Sequence, residues 1–135
     1  MDTLLTIGEA AKLSGLTAKM IRNYEKSGLI RKSPRTASGY RLYNSEQLNQ
    51  LRFIKRARNL GFSLSDIQSL LELWQNPDRE SRVVKQLAQS HLEEIENKIT
   101  QLQHMQQVLT ELAQSCKGDT NPQCSILEQL AESHL

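Results

Sequence analysis

From Arg79 to Cys116 the sequence has neither glycine nor proline. More than thirty residues without a backbone breaker read as one uninterrupted helix. Also missing is any apolar run near the length of a membrane span, which excludes a helical membrane protein. Met1 to Thr6 leads straight into a helical pattern and carries no signal sequence. Cysteine is scarce, with two residues in 135. Without an export signal, two cysteines predict cytosolic thiols in a cytoplasmic protein, not a structural disulfide. There are no internal repeats and no low-complexity segments. No nucleophile–base pair and no metal site with an open position is evident, so an enzyme is not expected.

What the long stretch does contain is a stripe. Ala88, Leu92, Ile95, Ile99, Leu102, Gln106, Leu109, Ala113 and Cys116 recur at spacings of four and three. That is a heptad seam with a repeat of about 3.5 residues. Glu93, Glu94, Glu96, Lys98, Gln101 and Gln103 lie mostly off it and can face water. At 1.5 Å per residue the helix is roughly 50 Å long. It is too long and too narrowly striped for this small chain to bury alone. A second copy is the simplest partner, which predicts a homodimer; the alternative is a helix packed on its own domain.

Net charge is +2, but it is unevenly spread. Residues 1–60 hold twelve Lys/Arg against four Asp/Glu, or +8, and residues 61–135 hold five against eleven, or −6. A basic front half points to a polyanionic partner.

The front half also has the pattern of a reader of double-stranded DNA. Thr6 and Glu9 form a capping box that starts a helix at about Ile7, and Gly15 stops it. Thr17 restarts a helix in which Ile21 and Tyr24 can pack inward while Lys19, Arg22 and Lys26 share the outer face. Two short helices, a tight turn and a basic second helix make a helix-turn-helix. Gly28 ends it. Leu29 to Tyr43 reads as turns with short strands, with Gly39 as the hairpin residue. Arg35, Tyr40 and Arg41 surround that glycine and suit a wing that grips phosphates. Asn44 with Gln47 caps a third helix with Leu48, Leu51, Ile54 and Ala57 inward, closed by Gly61. Ser63 with Asp66 caps a fourth, where Ile67, Leu70, Leu71 and Trp74 form the apolar face and Trp74 is a core anchor. Asn76-Pro77 ends it, and Asp78 is placed to cap the long helix. The expected divisions are residues 1–76 for DNA binding, 77–115 for dimerisation and 116–135 for a loop with a last helix.

Cys116 and Cys124 flank seven polar residues rich in turn formers. Ser125 with Glu128 caps a short last helix carrying Ile126, Leu127 and Leu130. Amide groups at that helix start favour a thiolate on Cys124, while the end of the long helix disfavours one on Cys116, so a nearby cation is required. Two cysteines do not make a zinc site. His91 and His104 lie back on the long helix and His134 is near the terminus. Two thiolates suit Cu(I), with Ag(I) and Au(I) as mimics, in a complex of net charge −1. The alternative is two unconnected thiols.

Several runs resemble the MerR family of winged-helix regulators. They are Thr6-Ile7-Gly8-Glu9-Ala10-Ala11, Met20-Ile21-Arg22-Asn23-Tyr24-Glu25, Gly28-Leu29-Ile30, Arg35 to Tyr43, and Arg58-Asn59-Leu60-Gly61-Phe62-Ser63. The resemblance covers essentially the whole chain. It implies a mainly α fold: a winged helix-turn-helix, an antiparallel coiled-coil dimer and a terminal metal loop. It implies binding to a palindromic element in a long promoter spacer, with metal-dependent bending and untwisting that lets RNA polymerase use the promoter. By motif match, Lys19 and Arg22 enter the major groove, and Tyr24, Arg35, Tyr40, Arg41 and Arg58 contact the DNA backbone.

The Cys-x₇-Cys loop is similar to that of the copper-efflux regulator branch. Divalent-metal relatives carry a third cysteine at the start of the long helix, and Ser81 stands there in this sequence. In this branch the partner's long helix covers the loop. Lys85, four residues after Ser81, is then the candidate compensating cation, against the alternative of an ordinary solvated lysine. The reading is a Cu(I)-responsive activator of metal efflux or detoxification genes. Its competitors are a gold-selective regulator, a regulator of the same fold sensing an oxidant or organic ligand, and a copper buffer. The retained basic wing argues against the buffer, and the lack of a further domain after the coiled coil argues against an organic ligand.

Overall fold

The computed structural model describes residues 4–132, so Met1 to Thr3 and His134 lie outside the described residues. The elements are β1 (Leu5–Thr6), α1 (Ile7–Ser14), α2 (Ala18–Ser27), β2 (Leu42–Tyr43), α3 (Ser45–Asn59), α4 (Leu64–Gln75), α5 (Ser81–Ser115) and α6 (Ser125–Ala131). The chain forms two compact units, one ending at Leu87 and one beginning at Ala88. The division between these units falls inside α5.

In the first unit the helix starts are set by short polar side chains. Thr6 Oγ1 accepts from the Glu9 amide while Glu9 accepts from the Thr6 amide, and Asn44 and Gln47 repeat this reciprocal pair. Those contacts hold Glu9 below the usual carboxylate range, the Thr6 amide first and its hydroxyl second. Thr17 and Ser63 cap α2 and α4 through one accepted hydrogen bond each. Gly15 and Gly28 close α1 and α2 in the left-handed conformation.

The core gathers Ala10, Leu16, Ile21, Tyr24, Ile30, Tyr43, Leu51, Ile54, Ala57, Ile67 and Leu71. It therefore draws on α1 to α4 and on β2. Burying each large aliphatic side chain stabilises the unit by about 1.5–3 kcal/mol. Trp74 is not the core anchor its spacing suggested. It is 43% exposed, and its ring stacks on Phe53 with centroids 4.7 Å apart. Ile67 and Leu71, two turns and one turn earlier, are the residues that α4 buries.

Two short pairings build the wing. β2 pairs antiparallel with β1, Leu5 opposite Tyr43 and Thr6 opposite Leu42, which the sequence pattern does not reveal. Beyond β2, Arg35 and Arg41 bridge across a turn closed by the Thr36 amide on the Tyr40 carbonyl at 2.7 Å. Gly39 has φ 86°, the region that a side chain at the tip would strain.

Asp78 does not cap α5, which starts three residues later at Ser81. The Asp78 amide donates to Asn76 Oδ1, so the segment from Asn76 forms its own turn. α5 runs 35 residues. The second unit holds most of it, the Cys116–Cys124 loop and α6. Of the α5 residues only His91 and Leu112 are buried. On the seam Leu92, Ile99, Leu102 and Leu109 are all about half exposed or more. Among the described residues no helix is long and apolar enough to cross a membrane.

Candidate nucleic-acid interface and thiol site

α2 separates its faces as helical spacing requires. Ile21, Tyr24 and Glu25 are buried, while Lys19, Arg22 and Lys26 are exposed. Arg22 shares a cleft of about 320 Å³ with Arg35, Tyr40 and Arg41 from the wing, Ile7 and Gly39 completing it. One helix and one hairpin thus present three guanidinium groups and an exposed phenol around one concavity. Planar guanidinium forks match phosphate geometry, and a major-groove helix beside a phosphate-gripping wing is how winged helix-turn-helix proteins meet DNA.

Two of the expected backbone contacts are tied down from below. Arg58 Nη1 donates to the Tyr24 hydroxyl at 2.6 Å, so the exposed arginine of α3 rests on a buried tyrosine of α2. Arg41 Nη1 donates to Glu25 Oε2 at 3.1 Å, and Ser33 Oγ donates to Glu25 Oε1 at 3.1 Å. The Tyr43 hydroxyl is buried nearby and makes no well-formed hydrogen bond among the described residues. Its pKa is raised above the ordinary tyrosine value, first by burial and then by the Glu25 carboxylate. Glu25 and Ser33 were not among the residues expected to matter. A lone acid among the basic residues of α2 was the available signal.

In the second unit the structure brings the two cysteines together. Their sulfurs stand 3.3 Å apart. Cys116 follows the last residue of α5, its amide bonded to the Leu112 carbonyl at 3.2 Å. Cys124 is the residue before the first turn of α6. Its thiol is held below the ordinary cysteine value, first by the Leu127 amide, then by Cys116, then by the Ile126 amide. Burial and the Glu128 carboxylate push the other way. The thiols line a shallow pocket of about 200 Å³ with Ser115, Lys117, Asp119 and Glu128 among its other walls. Ser125 does not cap α6, contrary to the expected capping box. Cys124 takes the cap position, and the Ser125 hydroxyl is hydrogen-bonded to that of Ser115 at 2.8 Å, joining the two helix ends beside the thiols. Ser81 and Lys85 are exposed in the first turns of α5.

The donor set is soft and small. Among the described residues no group of three or more His, Cys, Asp or Glu side chains gathers around a common point. Two thiols 3.3 Å apart on one exposed loop would together hold a single soft monovalent ion.

Residues 5–74, more than half of the chain, match the MerR HTH family of regulatory proteins. The chain belongs to the MerR family. Residues 48–112 match the MerR DNA-binding family as well. The HTH-type transcriptional regulator HmrR of Sinorhizobium medicae is 48% identical over 128 residues, covering 95% of this chain and 87% of that protein. The HTH-type transcriptional regulator CueR of Escherichia coli O157:H7 is 39% identical over 127 residues, 94% of each chain. Among solved structures, PbrR691 from Ralstonia metallidurans in complex with lead(II) superposes with a TM-score of 0.80 at 31% identity, covering 93% of this chain and 98% of that one. MerR regulators bind promoter DNA as dimers. This MerR protein is a DNA-binding transcription regulator of a metal-responsive branch, and not an enzyme.

Proposed function

We propose that the protein is a cytoplasmic Cu(I)-responsive activator, with Ag(I) and Au(I) as mimics, that works as a homodimer on a palindromic promoter spacer. The observation that carries this reading is the thiol pair: two sulfurs 3.3 Å apart, one with a lowered pKa, and no gathered third ligand among the described residues. A two-thiolate site holds a soft monovalent ion and leaves a divalent one under-coordinated. Lys19 and Arg22 read bases; Arg35, Tyr40, Arg41 and Arg58 face the DNA backbone, while the buried Tyr24 acts from beneath by holding Arg58 through its hydroxyl. The half-exposed seam of α5 supports an antiparallel partner helix, whose Ser81 and Lys85 cover the thiol loop. The Lys85 ammonium then balances the remaining negative charge. Metal binding tightens the dimer arms against the duplex, which bends and untwists so that RNA polymerase engages the promoter.

The likeness to a lead(II)-bound structure favours a second reading, a divalent heavy-metal sensor. Ser81 argues against it, because a serine offers a weak neutral oxygen where a third thiolate is needed. The test is promoter transcription in vitro under reducing conditions with Cu(I), Ag(I), Au(I), Zn(II) and Pb(II). Activation by the monovalent ions alone is expected, with Ser81→Cys gaining a divalent response. Activation of the unaltered protein by Zn(II) or Pb(II) would overturn the assignment.

A further inference from the structure

We propose that Glu25 is a positioning residue for DNA binding, holding the wing to the recognition helix through Arg41. The inference rests on the reading of Arg41 as a phosphate contact.

Glu25 is an acid on the element that carries Lys19 and Arg22, in the half of the chain with charge +8. A carboxylate there repels phosphate, so it weakens DNA binding unless it has another task. Its side chain is 1% exposed, against 27% for Arg41. It accepts one hydrogen bond from Arg41 and one from Ser33, at 3.1 Å each. Those partners sit on the hairpin and on the connection leading into it. The carboxylate thus ties α2 to both sides of the wing. Arg41 is also bridged to Arg35 through the backbone across the hairpin, so anchoring one strand of the wing anchors the other.

The guanidinium makes this arrangement useful. Arg41 has five donors on a planar fork, and a single Nη1 contact to Glu25 leaves the others for a phosphate. The partly exposed group faces the cleft that it shares with Arg22, Arg35 and Tyr40. Burial of Glu25 keeps its charge behind the arginine, and the wing arrives at the duplex already in register with α2. Without the carboxylate the hairpin retains its own turn but loses its link to α2.

The test compares salt-dependent operator binding of the full-length protein and of Glu25→Gln, Arg41→Ala and the double variant, with melting temperature as the control. Glu25→Gln keeps the size and removes the charge. Its log Kd–log salt slope is expected to fall by roughly one, as for Arg41→Ala, because the loosened arginine no longer neutralises its phosphate. The double variant is expected to bind no worse than Arg41→Ala. Phosphate-ethylation interference should vanish at the same phosphate in both single variants. A slope equal to the parent's, or tighter binding, in a folded Glu25→Gln protein would overturn the proposal. A parental slope in Arg41→Ala would instead overturn the wing reading beneath it. Should Glu25→Gln not fold, Arg41→Lys applies the test from the other side. Its compact ammonium can satisfy Glu25 without presenting a planar second edge, so its melting temperature should hold while its slope falls. Parental binding by Arg41→Lys would count against the proposal.

Discussion

Ile54 and Leu102 are both apolar residues on helical stripes, yet Ile54 is fully buried and Leu102 is 62% exposed. The first unit closes its core with residues from four helices and a strand. The second buries almost nothing along α5, and its seam lies open. One unit is finished by its own chain, and the other has the form of half an interface. Under the proposed function, this open seam, which runs up to the thiol loop, would couple metal binding to the partner.

The largest expected effect comes from charging the open seam. Leu102→Asp should convert the dimer to monomer at micromolar concentration, since each interface would bury an unpaired carboxylate at a cost of several kcal/mol. Sedimentation measures it. A substitution that stays in solvent costs within about 0.5 kcal/mol, so an unchanged dimer would show that the seam is simply a wet surface.

Ile54→Ala should act oppositely, lowering stability of the first unit by about 2–5 kcal/mol in denaturant unfolding while leaving any dimer contact along α5 intact. A loss below about 1 kcal/mol would mean the core is less closely packed than its burial implies.

Within the DNA face, Arg22→Ala should weaken specific over nonspecific binding by about 1–3 kcal/mol, without changing stability. Arg41→Ala should weaken both kinds of binding and lower the salt slope by about one. It should also destabilise the fold by about 1–3 kcal/mol, because it leaves the buried Glu25 carboxylate without its charged partner and with the Ser33 hydroxyl alone. Equal stability of the two variants would count against the Glu25 contact.

The smallest effect is a titration. In Cys116→Ser the remaining Cys124 thiol keeps the Leu127 amide, the largest cause of its lowered pKa. Thiolate absorbance should therefore rise at a pH below that of an ordinary cysteine. The folded pKa is depressed, so the stability it contributes is present above the unfolded thiol pKa and lost as pH falls through the folded value. A midpoint at or above the ordinary value would remove the α6 start from the account.

Much of the first unit was legible because short-range rules decide it. Thr6–Glu9 and Asn44–Gln47 are hydrogen-bonded pairs three residues apart, and their geometry follows from residue type alone. Spacing also gave the exposed basic face of α2. What escaped depends on partners distant in sequence. Trp74 had the right period for burial, but Phe53 stacks on it at the surface. The β1–β2 pairing joins residues 5–6 to 42–43, and Glu25 meets Ser33 and Arg41 only after the wing folds back. At the thiol site the spacing brought Cys116 and Cys124 into view. The spacing points to Ser125 as the cap, but Ser125 turns to Ser115 while Cys124 takes the place before α6.

The most direct test of the whole account measures operator binding and Cu(I)-dependent transcription side by side for Cys116→Ser and Cys124→Ser. The basic residues proposed to bind DNA belong to the unit ending at Leu87 and the thiols to the unit beginning at Ala88. Both variants are expected to hold the operator with near-parental affinity and to give no metal-induced transcript. Loss of operator binding in parallel with activation, or a full Cu(I) response with either thiol gone, would contradict the account.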